Sequence, residues 1–145
     1  MSKPIDDIVN LPGFDTILGL VYTATGPDEV TAYLDPRDDL RQPYGLIHGG
    51  VYCAVVESLG SIGASLHARS LGMFGAVGMS NSTDFLRSHR DGRLHGVATP
   101  IHQSRTQQLW LVEISRESDG KTVGRGQLRA YNLRSAPATG GAGSG

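Results

Sequence analysis

Cysteine is nearly missing from this chain. Cys53 stands alone, so no intramolecular disulfide can form, which fits a reducing compartment. Its neighbours Tyr52, Ala54 and Val55 suit a small buried hydrophobe better than a reactive thiol. Net charge is equally scant. A formal −1 at pH 7 gives no general pull toward nucleic acid or a membrane surface. The opening MSKPIDDIVN lacks the long apolar core of a signal peptide, so the expectation is a cytoplasmic protein. No internal repeat is visible, and His95 and His102 have no companions at metal-ligand spacing, which argues against a zinc site.

What remains is ordinary for a folded domain: 39% hydrophobic and 19% charged residues over 145 positions, enough to bury a core. Residues 6–20, broken by Pro12 and Gly13, predict one short helix and a turn. Leu18–Thr25 and Glu29–Leu34 read as a hairpin about Gly26-Pro27-Asp28, and Asp35–Tyr44 as a loop. From Gly49 to about Arg69 the chain reads as one long helix, too continuously apolar for a surface position. Gly60 and Gly63 each weaken it by about 1 kcal/mol relative to Ala, which makes sense where another backbone passes close. A bilayer needs roughly 20 apolar residues, but a span here would place Glu57 near mid-membrane, where a carboxylate is expensive. Strands follow at Met73–Phe85, Leu94–Gln103, Gln108–Ser115 and Thr122–Leu133, read as a four-strand meander. The expected fold is α+β, an antiparallel sheet of five or six strands wrapped around one long central helix. A single domain covers residues 1–134, and 135–145 form a disordered tail rich in Gly, Ala and Ser.

The chemistry concentrates in QPYGLIHGGVYCAVVES, residues 42–58. Glu57 is a lone carboxylate in a nearly uncharged helix, so it must be paired with an arginine, exposed on a narrow stripe, or turned into a cleft. Ser61 follows four residues later on the same face. Gly49 and Gly50 open the helix, where free N–H groups and the positive dipole end favour a developing oxyanion. Gln42 adds a neutral amide donor, and His48 is either a general base or a support for the loop. A carboxylate with helix-terminus donors is what acyl transfer requires. Yet Gly49 and Glu57 are separated along the axis by roughly 12 Å at 1.5 Å per residue. One carbonyl cannot touch both from one chain, whereas two antiparallel helices about a two-fold axis would bring them together. The motif therefore predicts a homodimer with sites at its interface, with Gly60, Ser61 and Gly63 permitting close approach.

At these residues the chain resembles the hotdog-fold acyl-CoA thioesterases, in the branch of the phenylacetate-pathway and 4-hydroxybenzoyl-CoA thioesterases. The likeness runs through QPYGLIHGGVYCAVVES, VGMSNSTDFLRSHRDGRLHGVATPIHQ and SRTQQLWLVEISRESDGKTVGRGQLRAY. It implies that Gln42 and the Gly49 N–H hold the thioester oxygen. Glu57 of the partner would act as nucleophile or general base, and Ser61 would position water. It further implies a homodimer or dimer of dimers acting on a small-molecule acyl-CoA, with no metal or redox cofactor. Phe85 stands where many relatives carry His, and Ser104 where they usually carry Gly.

The basic group Arg87, His89, Arg90 and Arg93, reinforced by Ser104, Arg105 and Thr106, suits the phosphates of coenzyme A, with Arg87 and Arg105 foremost. The alternative is a solvated turn. Gly50 and Phe85 complete the expected substrate contacts. Two other functions fit a similar cleft: a non-catalytic acyl-CoA-binding module, and an enoyl-CoA hydratase. Pro43 stands where a dehydratase-type site would need His. The acyl group itself is not specified by any spacing.

Overall fold

In the computed structural model, which describes residues 9–138, apolar periodicity and glycine punctuation together set the elements. Helix α1 (Phe14–Leu18) ends at Gly19, whose φ of 82° gives a left-handed C-cap that glycine adopts without strain. The strands are β1 (Leu20–Thr25), β2 (Val30–Leu34), β3 (Gly75–Phe85), β4 (Leu94–Gln103), β5 (Gln107–Arg116) and β6 (Thr122–Leu133). A 3-10 turn at Asp38–Leu40 interrupts the expected 35–44 loop. Helix α2 (Gly49–Ser70) is the long helix. Expectations for residues 1–8 and 139–145 lie outside the described residues.

The six strands form one antiparallel sheet in the order β1-β2-β4-β5-β6-β3, and it wraps α2 as expected. The four-strand meander needs correction. Only β4, β5 and β6 follow one another; β3 pairs with β6 at the far edge, and the 86–93 loop carries the chain back to β4. Sequence order cannot reveal this, because β3 is compatible with either neighbour until its inward face is known.

By length and composition α2 could cross a bilayer, but its apolar face, including Val55, Val56, Leu59 and Ala64, is buried in the core under the sheet. Each Val or Leu among these contributes about 1.5–3 kcal/mol on burial. Gly60 and Gly63 serve this packing, not the approach of another backbone or a second helix. A Cβ on residue 60 would fall 2.7 Å from Leu128, and one on residue 63 would fall 2.5 Å from the Trp110 ring. Trp110 is fully buried and donates through Nε1 to Gln108 at 2.9 Å. The Gln108 amide spends both its protons, one on the Ala64 carbonyl at 2.8 Å and one on Asn132 at 2.7 Å. This buried polar network is fully paired, so its hydrogen bonds offset the desolvation of its members while it ties α2 to the sheet.

Candidate active site

Two loops and the tip of α2 enclose the candidate cleft. Residues 41–47 form a tight hairpin. Arg41 bridges Ile47, the Gly45 N–H donates to Gln42 O at 2.9 Å, and Gly45 has φ 85°. The 86–93 loop is tied to it. The Ile47 N–H donates to His89 O, Arg90 to Tyr44 O at 3.0 Å, and Arg41 to Arg90 O and to Asp91. His48 caps α2. Its Nδ1 accepts the Gly50 N–H at 2.8 Å, one of the orphan donors of the first turn.

A cleft of about 340 Å³ lies between these parts, lined by Gln42, Gly49, Tyr52, Phe85, Arg87 and neighbours. The Gly49 N–H makes no hydrogen bond among the described residues, so it offers a free donor. Gln42 is oriented by its own loop. Oε1 accepts the Tyr44 N–H, and since a backbone N–H can only donate, the amide NH₂ is left without a partner among the described residues. Phe85 lies against the helix tip. A Cβ on residue 49 would fall 2.8 Å from its ring, so only glycine admits the aromatic here. The Tyr52 ring sits 5.9 Å from that of Phe85, and burial pushes the Tyr52 phenol above its ordinary range, which keeps it a neutral wall.

Glu57 does not line this cleft. It is half-buried two turns further along α2, against β3. The Ser61 hydroxyl donates to its Oε1 at 3.4 Å and the Asn81 amide to its Oε2 at 3.3 Å. No ion pair reaches it among the described residues. The structure thus gathers Gln42, Gly49, Phe85 and Arg87 in one cleft, and Glu57 with Ser61 in a separate place on the same chain.

Several expectations change. Gly50 and His48 border a different cleft, of about 300 Å³, shared with Phe14 and Ile17. The Gly50 N–H is taken by the His48 cap, which also commits the His48 Nδ1, so neither faces Gly49's cleft. Cys53 is half-buried, not buried. The basic group does not act as one set. His89 is buried and bonded to Gly92 O, and Arg90 braces the loop. Arg93 forms a two-pronged pair with Asp35 and stacks 3.8 Å over the Tyr33 ring. That pair holds the Asp35 carboxyl below the usual carboxylate range. Arg87 donates to Thr122 O at 2.6 Å beside the cleft. Ser104, Arg105 and Thr106 sit at the opposite end of β6, joined to it through Asn132, and Arg105 borders a cleft with Arg134 by the end of α2. A cleft of about 540 Å³ along β1 holds none of the candidate residues. Among the described residues no three His, Cys, Asp or Glu side chains gather as a metal site.

Sequence reasoning missed Asn81 and Gly78, whereas Tyr52, with Phe74, Met79 and Phe85, is expected to set the depth of the acyl pocket. The signal for Asn81 is the polar run SNST inside a strand, which is unusual unless something polar faces it.

Comparison with known proteins gives the family. Residues 44–123, more than half of the chain, match the thioesterase superfamily. A Mycobacterium tuberculosis protein, whose esterase designation is itself an inference, is 48% identical over 125 residues, 86% of this chain and 89% of that one. Its solved structure superposes with a TM-score of 0.81 at 47% identity, covering 86% and 98% of the two chains. The 1,4-dihydroxy-2-naphthoyl-CoA hydrolase of Escherichia coli K12 is 33% identical over 108 residues, 74% and 76% of the two chains. The structure of S. sahachiroi AziG superposes with a TM-score of 0.82 at 43% identity over 87% and 100%. The long helix inside a six-stranded antiparallel sheet and these matches agree: the chain belongs to the thioesterase superfamily, as a hotdog-fold thioester hydrolase.

Proposed function

We infer that the protein is a cytoplasmic acyl-CoA thioesterase working as a homodimer or dimer of dimers, with each site built from two subunits. The observation that carries this is the division of the machinery: an oxyanion cleft at Gly49 and Gln42, and a carboxylate without a cation at Glu57, two turns away on the same helix. Two-fold pairing resolves the separation by presenting the partner subunit's Glu57 to Gly49. The edge strand β3, with exposed Val77 and Met79 and no strand on its outer side among the described residues, is the natural seam. The same symmetry lays the Arg105 end of one chain beside the Arg87 end of the other, where both guanidinium groups suit the phosphates of coenzyme A.

In this reading the thioester oxygen accepts from the Gly49 N–H and the Gln42 amide. Glu57 takes a proton from water as it adds to the carbonyl carbon, or itself adds to give an anhydride that water opens. In either route the C–S bond breaks, the thiolate takes up a proton, and one water is consumed. Removing a general base costs about 10²–10⁴-fold in rate. Glu57→Gln should therefore lose thiol release across an acyl-CoA panel by that factor while its elution on size exclusion is unchanged. Full activity in this variant would refute the assignment.

A further inference from the structure

The strand beside Glu57 breaks its own alternation at a place that matters. In β3, Gly78 pairs with Ala130 and Asn81 with Leu128, with Met79 inserted as a bulge between the paired positions. Ala130 and Leu128 are core residues, so both Gly78 and Asn81 face α2 although they are three apart in sequence. Without the bulge, the face carrying Gly78 would continue through Ser80, Ser82 and Asp84. With it, the inward face becomes Asn81, Thr83 and Phe85.

Asn81 is held from three sides. Its Nδ2 donates to Cys53 O at 3.0 Å and to Glu57 Oε2 at 3.3 Å, while Oδ1 accepts the Thr83 hydroxyl at 2.6 Å. A main-chain carbonyl can only accept, so the atom facing Cys53 O must be the nitrogen, and the amide has one orientation. Gly78 abuts the other carboxylate oxygen. A Cβ there would collide with Oε1, which Ser61 also reaches.

We propose that Asn81, aimed by the Met79 bulge and the Thr83 hydroxyl, is the positioning residue for the Glu57 carboxylate. It fixes Oε2 and leaves Oε1, in the gap above Gly78, as the oxygen that performs the chemistry. This rests on the hydrolytic reading above. The groups facing Glu57 are Ser61 and the titratable Cys53 one turn away on α2, and Gly78 and Asn81 on β3. No cation stands among these.

The test uses the full-length protein and the best acyl-CoA from the panel. Asn81→Ala should lower kcat by about 10- to 100-fold, the scale of a misplaced catalytic group, with KM within twofold. Asn81→Asp, which places a like charge beside Glu57, should also move the acid limb of the kcat profile up by about one pH unit. Asn81→Ala should keep a melting temperature near the wild type's, and Asn81→Asp, whose carboxylate would face the Cys53 carbonyl and Glu57, should melt lower while remaining folded at the assay temperature. An unmoved acid limb together with wild-type kcat overturns the proposal. A direct readout is independent of turnover: the Asn81 side-chain amide resonance should titrate in the wild type and stay still in Glu57→Gln. If no thioester is hydrolysed but this titration is present, the hydrolytic reading fails and the contact stands. An amide indifferent to pH overturns the contact whatever the activity.

Discussion

Replacing Gly63 by alanine tests whether the sheet or helix propensity sets the position of α2. In an isolated helix the change would help by about 1 kcal/mol. Here the new Cβ would lie 2.5, 2.6 and 2.9 Å from three atoms of the Trp110 indole. The ring cannot swing away freely, since it is fully buried and its N–H is bonded to Gln108. Overpacking of this kind costs about 1–3 kcal/mol. A displaced Trp110 would also leave the buried Gln108 oxygen unpaired, for about 1–3 kcal/mol more. Offset by the propensity gain, the expected net loss is about 1–5 kcal/mol. Trp110 is the only tryptophan, so urea denaturation followed by its fluorescence reads the site directly. In a Trp110→Phe background the same Gly63→Ala change, followed by circular dichroism, should cost at least about 1 kcal/mol less, because the clashing atoms are gone. A Gly63→Ala protein as stable as the wild type would refute the argument that the indole dictates how deeply the helix sits.

Gln42→Ala removes one oxyanion donor and should reduce kcat by about 10²–10³-fold in the thiol-release assay, with the fold unchanged by circular dichroism. Tyr22 tests pH dependence. Its burial, and then its bond to Asp15 at 2.7 Å, hold the phenol well above the ordinary range. The unfolded chain would lose that proton near pH 10 while the folded chain keeps it, so this contribution is complete below about pH 10 and is lost as pH rises beyond it. Urea midpoints from about pH 8 to 11 should fall at the alkaline end, less steeply in Tyr22→Phe. Tyr52, also raised by burial, retains part of the slope.

Much of this molecule is legible in the sequence where local rules suffice. The Gly49 start of α2, the isolation of Glu57 and its Ser61 neighbour follow from helical periodicity. The β4 and β6 boundaries match at both ends. The expectations that fail depend on long-range placement. Gly60 and Gly63 are small because Leu128 and Trp110 arrive from β6 and β5. Ser104–Thr106 and Arg87 occupy consecutive turns of the chain yet opposite ends of the sheet. A one-residue bulge is invisible to a period-two pattern, so the inward turn of Asn81 and Phe85 could not be read from alternation.

The crossing from β3 to β4 orders the assembly of the molecule. Turns close β4, β5 and β6 in succession, whereas β3 must find β6 through pairings such as Gly75 with Leu133, far apart along the chain. Such distant contacts form after the local ones, because loop closure must precede any reward. The groups around the acid, Gly78 and Asn81, and the aromatic over the helix tip, Phe85, all ride on that late strand. Those groups therefore take their places only when β3 docks on β6, and the exposed Val77 and Met79 lie along that same edge strand.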